Sequence, residues 1–327
     1  MKSTPCSLSY HYIHAYSLLG GSVLTDGNLR PRVSVVMPTL NEALNLPYVL
    51  NRLPRGLHEV IVVDGHSADD TVEVARQLRP DVKVVTQTRT GKGNALACGF
   101  AAVTGDIIAM VDADGSADPA EIPRFVAALL NGADFAKGSR FAHGGGSADI
   151  TRLRAYGNSA LGALVNFRYH TVYTDLCYGY NVFWKHLLPL LGLDATTTLC
   201  ETNGQRLWGD GFEVETLINI RVARAGLAVT EVPSFEHARI HGVSNLNAMT
   251  DGLRVLRTIL KEGDFRVRAK RRPRIVSADR ADLVLSAWPD HMETAPAESE
   301  QAGLGGNDMI LITCGRSVDA KRFCLVG

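Results

Sequence analysis

The sequence lacks three features, and each absence excludes a class of protein. Its 34 basic and 34 acidic side chains leave no net charge, which excludes attraction of nucleic acid across the whole surface. The six cysteines include no CxxC pair, which argues against a zinc knuckle or a disulfide framework and favours a reducing cytosol. No apolar run approaches the roughly 20 residues needed to span a bilayer. We therefore expect a cytoplasmic globular protein without a nucleic-acid partner.

What the sequence does contain is a regular alternation of apolar runs. Short runs rich in β-branched residues begin at Arg32, His58, Asp81 and Asp106. The segments between them have the length of helices, and most space their apolar residues as helices do. Such alternation predicts an α/β fold whose mostly parallel sheet is covered by helices on both faces.

The remainder of the chain divides around this unit. We predict an N-terminal extension over 1–30, a main domain over 31–245, an amphipathic helix with a basic segment over 246–274, and a disordered tail over 275–327. The basic segment places six basic residues within Arg266–Arg274, directly after the helix. This combination suits peripheral binding to an anionic membrane surface, whereas the helix alone is also consistent with packing on the core.

The sharpest local feature is an acidic pair at the end of the fourth predicted strand. Asp112 and Asp114 flank Ala113, and Gly115 follows. Ligands of parallel α/β sheets bind at the carboxyl ends of the strands. Two carboxylates at that position suit Mg²⁺ or Mn²⁺, which would bridge to phosphate oxygens. An ordinary acidic turn is the alternative, because Asp and Gly are frequent in any loop.

The other three predicted strands also lead into polar or glycine-containing loops. These loops are Pro38–Glu42, Asp64–Ser67 and Thr90–Asn94. The glycines on either side of Lys92 would let the backbone approach a ligand, and Lys92 itself would meet a phosphate. The segment matches neither the P-loop pattern nor the dinucleotide-binding pattern. The four loops together therefore predict a ligand site of another kind at one edge of the sheet.

In order and spacing, these four loops resemble those of family 2 glycosyltransferases with the GT-A fold. Motifs of the second half narrow the resemblance to polyprenyl-phosphate (dolichol-phosphate) mannosyl- and glucosyltransferases. Those motifs are Gly138–Arg140, Gly144–Gly146 with Arg152 and Arg154, Thr174–Tyr180, Phe212–Glu215, Glu231–Pro233 and Arg239–Ser244. The resemblance covers about 32–261 and makes the main domain a catalytic domain.

The resemblance implies a role for each matched residue. The residues implied to line the base and ribose of a nucleotide are Pro38, Asn41, Glu42 and Asp64, with Lys92 beside them. Asp112 and Asp114 are implied to bind the metal and the diphosphate. The residues implied to approach the phosphates of donor or acceptor are Arg140, Arg152, Arg154 and Arg239.

The chain departs from the family pattern at two positions. Ser116 stands where members often have a glutamine as a further metal ligand, so Ser116 is its counterpart in the expected metal site. The segment Gly242–Asn245 lacks the lysine of the usual Gly-Glu-Ser-Lys. Both departures bear on donor identity and phosphate contacts more than on the fold.

The resulting hypothesis is metal-dependent, inverting transfer of a hexose from GDP-mannose or UDP-glucose to a polyprenyl phosphate. A phosphate acceptor, with a second pKa of about 6, is already anionic and needs no strong base. The alternative is a sugar or other hydroxyl acceptor, which needs a carboxylate base such as Asp210, Glu213 or Glu215. A third hypothesis, suggested by Ser116 and Asn245, is a catalytically silent nucleotide-sugar-binding protein.

Overall fold

The computed structural model describes residues 31–193, 208–242 and 248–262. The expected N-terminal extension, the basic segment Arg266–Arg274 and the expected tail all lie outside the described residues, as does Asn245. The domain boundaries expected after residues 30, 245 and 274 fall beside or within undescribed stretches and stay predictions.

The described elements alternate between strand and helix over the first half of the chain. The strands are β1 Val33–Thr39, β2 Glu59–Asp64, β3 Lys83–Thr86, β4 Ile107–Met110, β5 Phe135–Ser139, β6 Gly146–Ser147, β7 Asn181–Trp184, β8 Val229–Pro233 and β9 Phe235–Glu236. The α-helices are α1 Leu46–Asn51, α2 Thr71–Leu78, α3 Lys92–Ala102, α4 Ile122–Leu130, α5 Arg152–Tyr169, α6 Val214–Arg224 and α7 Ala248–Lys261. Short 3-10 turns cover Pro119–Glu121 and Lys185–Leu187.

Within the described residues, seven strands form one sheet in the order β3-β2-β1-β4-β7-β5-β8. All neighbouring pairs are parallel except those of β7, which runs antiparallel to both β4 and β5. The strands β6 and β9 form a small parallel pair of their own. The prediction of a mostly parallel sheet is confirmed, and the four apolar runs of the first half are β1 to β4.

The sheet is covered on both faces, as the sequence predicted. Every residue of β4 and of β7 is buried, and in β1 only Pro38 is partly exposed. Because successive side chains of a strand point to opposite faces, such continuous burial requires packing on both sides. Helix α3 packs on β1 and β2, and α4 packs on β5, β7 and β8. The rings of Phe135 and Phe183 stack at 5.4 Å on neighbouring strands and anchor the centre of the core.

The predicted amphipathic helix is present as α7, and it packs against α5 and α6. Val255 and Ile259 are buried in this contact, and the Tyr169 hydroxyl donates a hydrogen bond to the Ile259 carbonyl at 3.0 Å. Leu253 and Leu260 remain exposed. The helix therefore contributes to the core and also presents apolar side chains to solvent. No helix in the described ranges is long and apolar enough to span a bilayer.

Candidate active site

A cavity of about 410 Å³ opens at the carboxyl ends of β1 to β4, within the size range of small-molecule sites. Its strand-end wall consists of Pro38, Thr39, Leu40, Glu42, Gly65, Gln87, Thr90, Gly91, Lys92, Ala95, Asp112, Ala113 and Asp114. Its other wall comes from the second half of the chain and consists of Gly211, Phe212, Arg239, Thr250, Asp251 and Arg254. Six of the predicted site residues are thus brought together: Pro38, Glu42, Lys92, Asp112, Asp114 and Arg239.

Two further predicted residues, Asn41 and Asp64, shape the loops beside the cavity without lining it. Asn41 has a left-handed backbone with φ 58°, and its side-chain oxygen accepts a hydrogen bond from the Ala68 amide at 2.8 Å. The Asp64 carboxylate accepts hydrogen bonds from the amides of His66 and Ser67 at 3.1 and 3.2 Å. The Asn41–Ala68 bond ties the loops after β1 and β2 to each other, and the Asp64 bonds shape the loop after β2, so both residues act on the cavity rim.

Lys92 connects one of the paired aspartates to a buried glutamate. It lies at the start of α3, and its Nζ is 2.8 Å from the Asp112 carboxylate and 2.6 Å from Glu215 Oε1. Burial lowers the pKa of Lys92, but the two carboxylates raise it by more, so the net shift is upward. Lys92 is therefore a permanent cation beside Asp112.

Arg239 makes the equivalent connection on the other aspartate. Its Nη2 is 2.6 Å from Glu42 Oε1, and its Nε is 3.6 Å from Asp114 Oδ2. Burial raises the pKa of Glu42, although the Asn45 amide at 2.5 Å and the charge of Arg239 oppose that shift. Each of the paired aspartates therefore shares one cation with a second carboxylate.

The donor atoms of this acidic pair fit a hard divalent cation. The Asp112 and Asp114 side chains both line the cavity and are 34% and 23% exposed. Among the described residues, no group of three or more His, Cys, Asp or Glu side chains is arranged to hold an ion alone. Mg²⁺ commonly takes one or two carboxylates and completes its shell with water and substrate phosphates. The two aspartates therefore suit an ion that arrives together with a phosphate ligand.

Ser116, expected in the metal site, lies behind Asp114. Its hydroxyl and its amide both donate hydrogen bonds to Asp114 Oδ1, at 2.7 and 3.0 Å. Ser116 does not line the cavity. In this arrangement it orients the Asp114 carboxylate.

The glycines around Lys92 hold its loop against a distant part of the chain. The Gly93 amide donates a hydrogen bond to the Asp210 carbonyl at 2.8 Å. A Cβ atom on Gly93 would lie 1.7 Å from the Gly209 carbonyl oxygen, and one on Gly91 would lie 2.1 Å from that of Asp210. Arg89 adds a buried bidentate ion pair to Asp210 at 2.8 and 2.9 Å. This close backbone contact fixes the position of Lys92.

Replacing Gly93 with Ala is expected to destabilise the protein by about 3 kcal/mol, because the new methyl group overlaps a backbone oxygen that has no rotamer to move into. The matched control is Gly157→Ala on helix α5, where a Cβ meets nothing within 4 Å. That exchange should stabilise the protein by up to about 1 kcal/mol, since Ala favours helix. Urea unfolding of both variants measures the difference. Equal midpoints would show that the backbone at Gly93 has room to yield.

The structure does not bring Arg140, Arg152 and Arg154 to the cavity. Arg140 is only 4% exposed and is paired with two carboxylates, those of Asp175 at 2.7 Å and Glu236 at 3.0 Å. In this arrangement the guanidinium faces those two carboxylates and not the cavity, so its expected contact with a ligand phosphate stays a prediction. Arg152 and Arg154 lie in the first turn of α5, where Arg152 is exposed and Arg154 pairs with Asp149 at 3.0 Å.

The three carboxylates considered as a base for a hydroxyl acceptor are also engaged elsewhere. Asp210 is held by Arg89, and Glu215 is held by Lys92. Glu213 Oε1 accepts hydrogen bonds from the amides of Gly209 and Gly211 at 3.2 and 3.3 Å, whereas its buried Oε2 has no hydrogen-bond partner among the described residues. None of the three lines the described cavity.

Sequence reasoning missed several residues that line the cavity. Gln87 directly follows the carboxyl end of β3, so the rule that selected the loop from Thr90 onwards could have found it as well. Thr250, Asp251 and Arg254 gave no such signal, because they reach the cavity through the packing of α7, a helix far away in sequence.

Comparisons with known proteins agree with this architecture. The family described as Glycosyl transferase family 2 matches residues 34–188. An uncharacterized glycosyltransferase of Mycobacterium bovis is 45% identical over 108 residues, which are 33% of this chain and 48% of that protein. An undecaprenyl-phosphate mannosyltransferase of Micrococcus luteus is 32% identical over 211 residues, covering 62% of this chain and 82% of the relative. The chain thus spans about half the length of the mycobacterial relative and most of the other.

Solved structures confirm the fold. Glucosyl-3-phosphoglycerate synthase from Mycobacterium tuberculosis, crystallised with Mg²⁺ and uridine diphosphate, superimposes with a TM-score of 0.54 at 23% identity. The match covers 82% of this chain and 87% of that one. The expected GT-A fold is therefore confirmed, and together with the matches in sequence it establishes that this chain belongs to glycosyl transferase family 2.

Proposed function

We propose that this protein transfers a hexose from a nucleotide sugar, GDP-mannose or UDP-glucose, to a polyprenyl phosphate, with a divalent metal and with inversion at the anomeric carbon. Two of its relatives carry names of that reaction class: the undecaprenyl-phosphate mannosyltransferase of Micrococcus luteus and a dolichol-phosphate mannosyltransferase of Pyrococcus furiosus, which is 39% identical over 121 residues.

The main support for this proposal is that the carboxylates lining the cavity are held in ion pairs. Among the described residues, every carboxylate that lines the cavity has a cationic partner: Arg239 for Glu42 and Asp114, Lys92 for Asp112, and Arg254 for Asp251. A carboxylate held in an ion pair has to give up that pair before it can act as a general base or as a nucleophile. This arrangement favours an acceptor that is already anionic, and a single displacement that inverts the anomeric carbon.

In this mechanism the residues of the chain supply binding and electrostatic stabilisation. Asp112 and Asp114 would hold Mg²⁺ or Mn²⁺. The bound ion would neutralise the negative charge that develops on the leaving diphosphate. Lys92 and Arg239 stand beside these aspartates as fixed cations and attract the same diphosphate. Ser116 keeps the Asp114 carboxylate oriented through its two hydrogen bonds. Positioning of donor and acceptor phosphate provides the rest of the rate enhancement.

A lipid acceptor also requires contact with a membrane surface. Helix α5 exposes Leu153, Tyr156 and Phe167, and the adjoining α7 exposes Leu253 and Leu260. These apolar side chains support peripheral membrane association, with the basic segment after α7 as the expected electrostatic contribution. Cosedimentation with vesicles that contain an anionic lipid tests this role, and equal recovery with and without vesicles would reject it.

The reaction itself is tested by a radiolabel transfer assay with Mg²⁺ or Mn²⁺. Labelled GDP-mannose and UDP-glucose are offered with undecaprenyl phosphate or dolichyl phosphate, and Asp114→Asn is the blank. We expect label to enter the organic phase with one donor and to be absent from the blank. Metal-dependent release of nucleotide without a lipid product would favour a hydroxyl acceptor. Nucleotide binding without turnover would favour a catalytically silent protein.

A further inference from the structure

The helix α7 forms part of the cavity wall, where the sequence alone suggested a core or membrane helix. Thr250, Asp251 and Arg254 on its first turns face the cavity. Its last turns are fixed to the body of the domain, because Ile259 is buried and the Arg224 guanidinium donates to the Glu262 carbonyl at 2.8 Å. The helix is therefore held in place over the ligand site.

Three cations of the described part of the chain line the cavity, and they differ in how many carboxylates each one contacts. Lys92 and Arg239 are 12% and 19% exposed, and each lies between two carboxylates. Arg254 is 47% exposed, and within the described ranges its one ion pair is to Asp251, on its own helix, at 2.9 Å. A guanidinium carries five N–H donors in a planar fork, and one carboxylate contact leaves most of them available to a ligand.

Building on the proposed function, we propose that Arg254 binds a phosphate group of the ligand in this cavity. Among the described residues, four carboxylates line the cavity against three cations, so binding of a phosphate depends on the positive charge that remains accessible there. Arg254 is the cation that can do so without first giving up a bridge between two carboxylates. The sequence analysis expected Arg140 to approach a ligand phosphate, but Arg140 is buried against Asp175. Arg254 provides an arginine in the cavity for the same role.

The phosphate that Arg254 binds has two sources, the diphosphate of the donor and the phosphate of the acceptor. Both are tested by calorimetric binding to the full chain. One probe is UDP or GDP with Mn²⁺, and the other is farnesyl phosphate, a short polyprenyl phosphate. The variant is Arg254→Met. The matched control is Arg257→Met, one turn further along α7, whose guanidinium lies over the Trp208 ring at 5.6 Å.

We expect Arg254→Met to weaken one of these probes by about 10-fold or more, as for loss of a charge-assisted contact, and Arg257→Met to weaken neither. A loss confined to nucleotide assigns Arg254 to the donor, and a loss confined to farnesyl phosphate assigns it to the acceptor. Arg254→Lys should recover part of the affinity. Wild-type affinity of Arg254→Met for both probes would overturn the inference.

These binding measurements do not depend on turnover. The protein could transfer no sugar and still bind a phosphate probe in an Arg254-dependent manner. That result would contradict the proposed function and support this inference. If Arg254→Met transferred sugar normally and bound both probes with unchanged affinity, the proposed function would be supported and this inference contradicted.

Discussion

Replacing Asp114 with Asn is expected to lower the rate of sugar transfer by about 10³-fold while leaving the fold intact. The carboxylate lines the cavity and belongs to the acidic pair that would hold the metal. Loss of one preorganised group that stabilises charge in a transition state typically costs about 10²- to 10³-fold in rate, and loss of a metal ligand adds to this. The variant keeps the shape of the side chain, and Arg239 keeps its shorter contact to Glu42 at 2.6 Å.

The readout should separate metal binding from catalysis. Titration of Mn²⁺, followed by its electron paramagnetic resonance in the presence of UDP or GDP, reports occupancy of the site without turnover. We expect Asp114→Asn to bind Mn²⁺ at least about 10-fold more weakly than the wild-type protein. The matched control is Asp149→Asn, which changes a carboxylate that is 45% exposed and paired with Arg154 outside the cavity. It should leave both measurements unchanged.

Two results would count against this assignment. If Asp114→Asn bound Mn²⁺ normally and lost turnover, Asp114 would act in another way, such as holding Arg239. If the variant retained turnover, the acidic pair would be an ordinary turn and the metal would bind elsewhere. Thermal unfolding of the variant guards against a third explanation, because loss of structure would lower its midpoint relative to Asp149→Asn.

The strands and helices around this site were predictable wherever the composition and apolar spacing of one short segment determine its structure. A run such as Val60–Val63 is buried throughout, so its apolar composition alone identifies a central strand. The carboxyl ends of such strands meet at one edge of the sheet, so the sequence alone predicts that Glu42, Lys92 and Asp112 lie together, as they do in the cavity wall. Periodicity likewise predicted α7, because its length and apolar spacing are helical.

The rest was not predictable because it depends on which distant segments pack together. Arg140 is paired with Asp175 and Glu236, which are 35 and 96 residues away in sequence. A motif shows that an arginine follows a strand, but it does not show whether the guanidinium enters the cavity or the interior. The position of α7 beside the cavity was unpredictable for the same reason, because it depends on the packing of α7 against α5 and α6.

The position of Arg140 leads to the largest expected effect on stability. Arg140→Met should destabilise the protein by about 3–5 kcal/mol, because it leaves two buried carboxylates without their counter-charge. The Asp175 side chain is fully buried, and it meets the guanidinium through two bonds at 2.7 and 3.0 Å. Arg154→Met is the matched control, since its pair with Asp149 is partly exposed and should contribute less than about 1 kcal/mol. Urea unfolding near neutral pH measures both.

The pH dependence of this deficit identifies its cause. Burial acts to raise the pKa of Asp175, but the hydrogen bonds and charge of Arg140 lower it by more, so the net shift is downward. In the wild-type protein the carboxylate therefore stabilises the fold above its unfolded pKa of about 3.9, and that contribution is lost as the pH falls through the folded value.

Without the Arg140 side chain, burial raises the folded pKa of Asp175 and only the charge of Lys137 and the backbone amide at position 140 still oppose it, so acidification relieves the penalty by protonating the carboxylate. The gap in unfolding free energy between wild type and Arg140→Met should therefore narrow between about pH 7 and pH 4.5. A gap that is as small as that of Arg154→Met, combined with loss of sugar transfer, would instead mean that Arg140 acts on the ligand. Arg140 would then have to leave two carboxylates in the interior to reach a phosphate, and its burial argues against that movement.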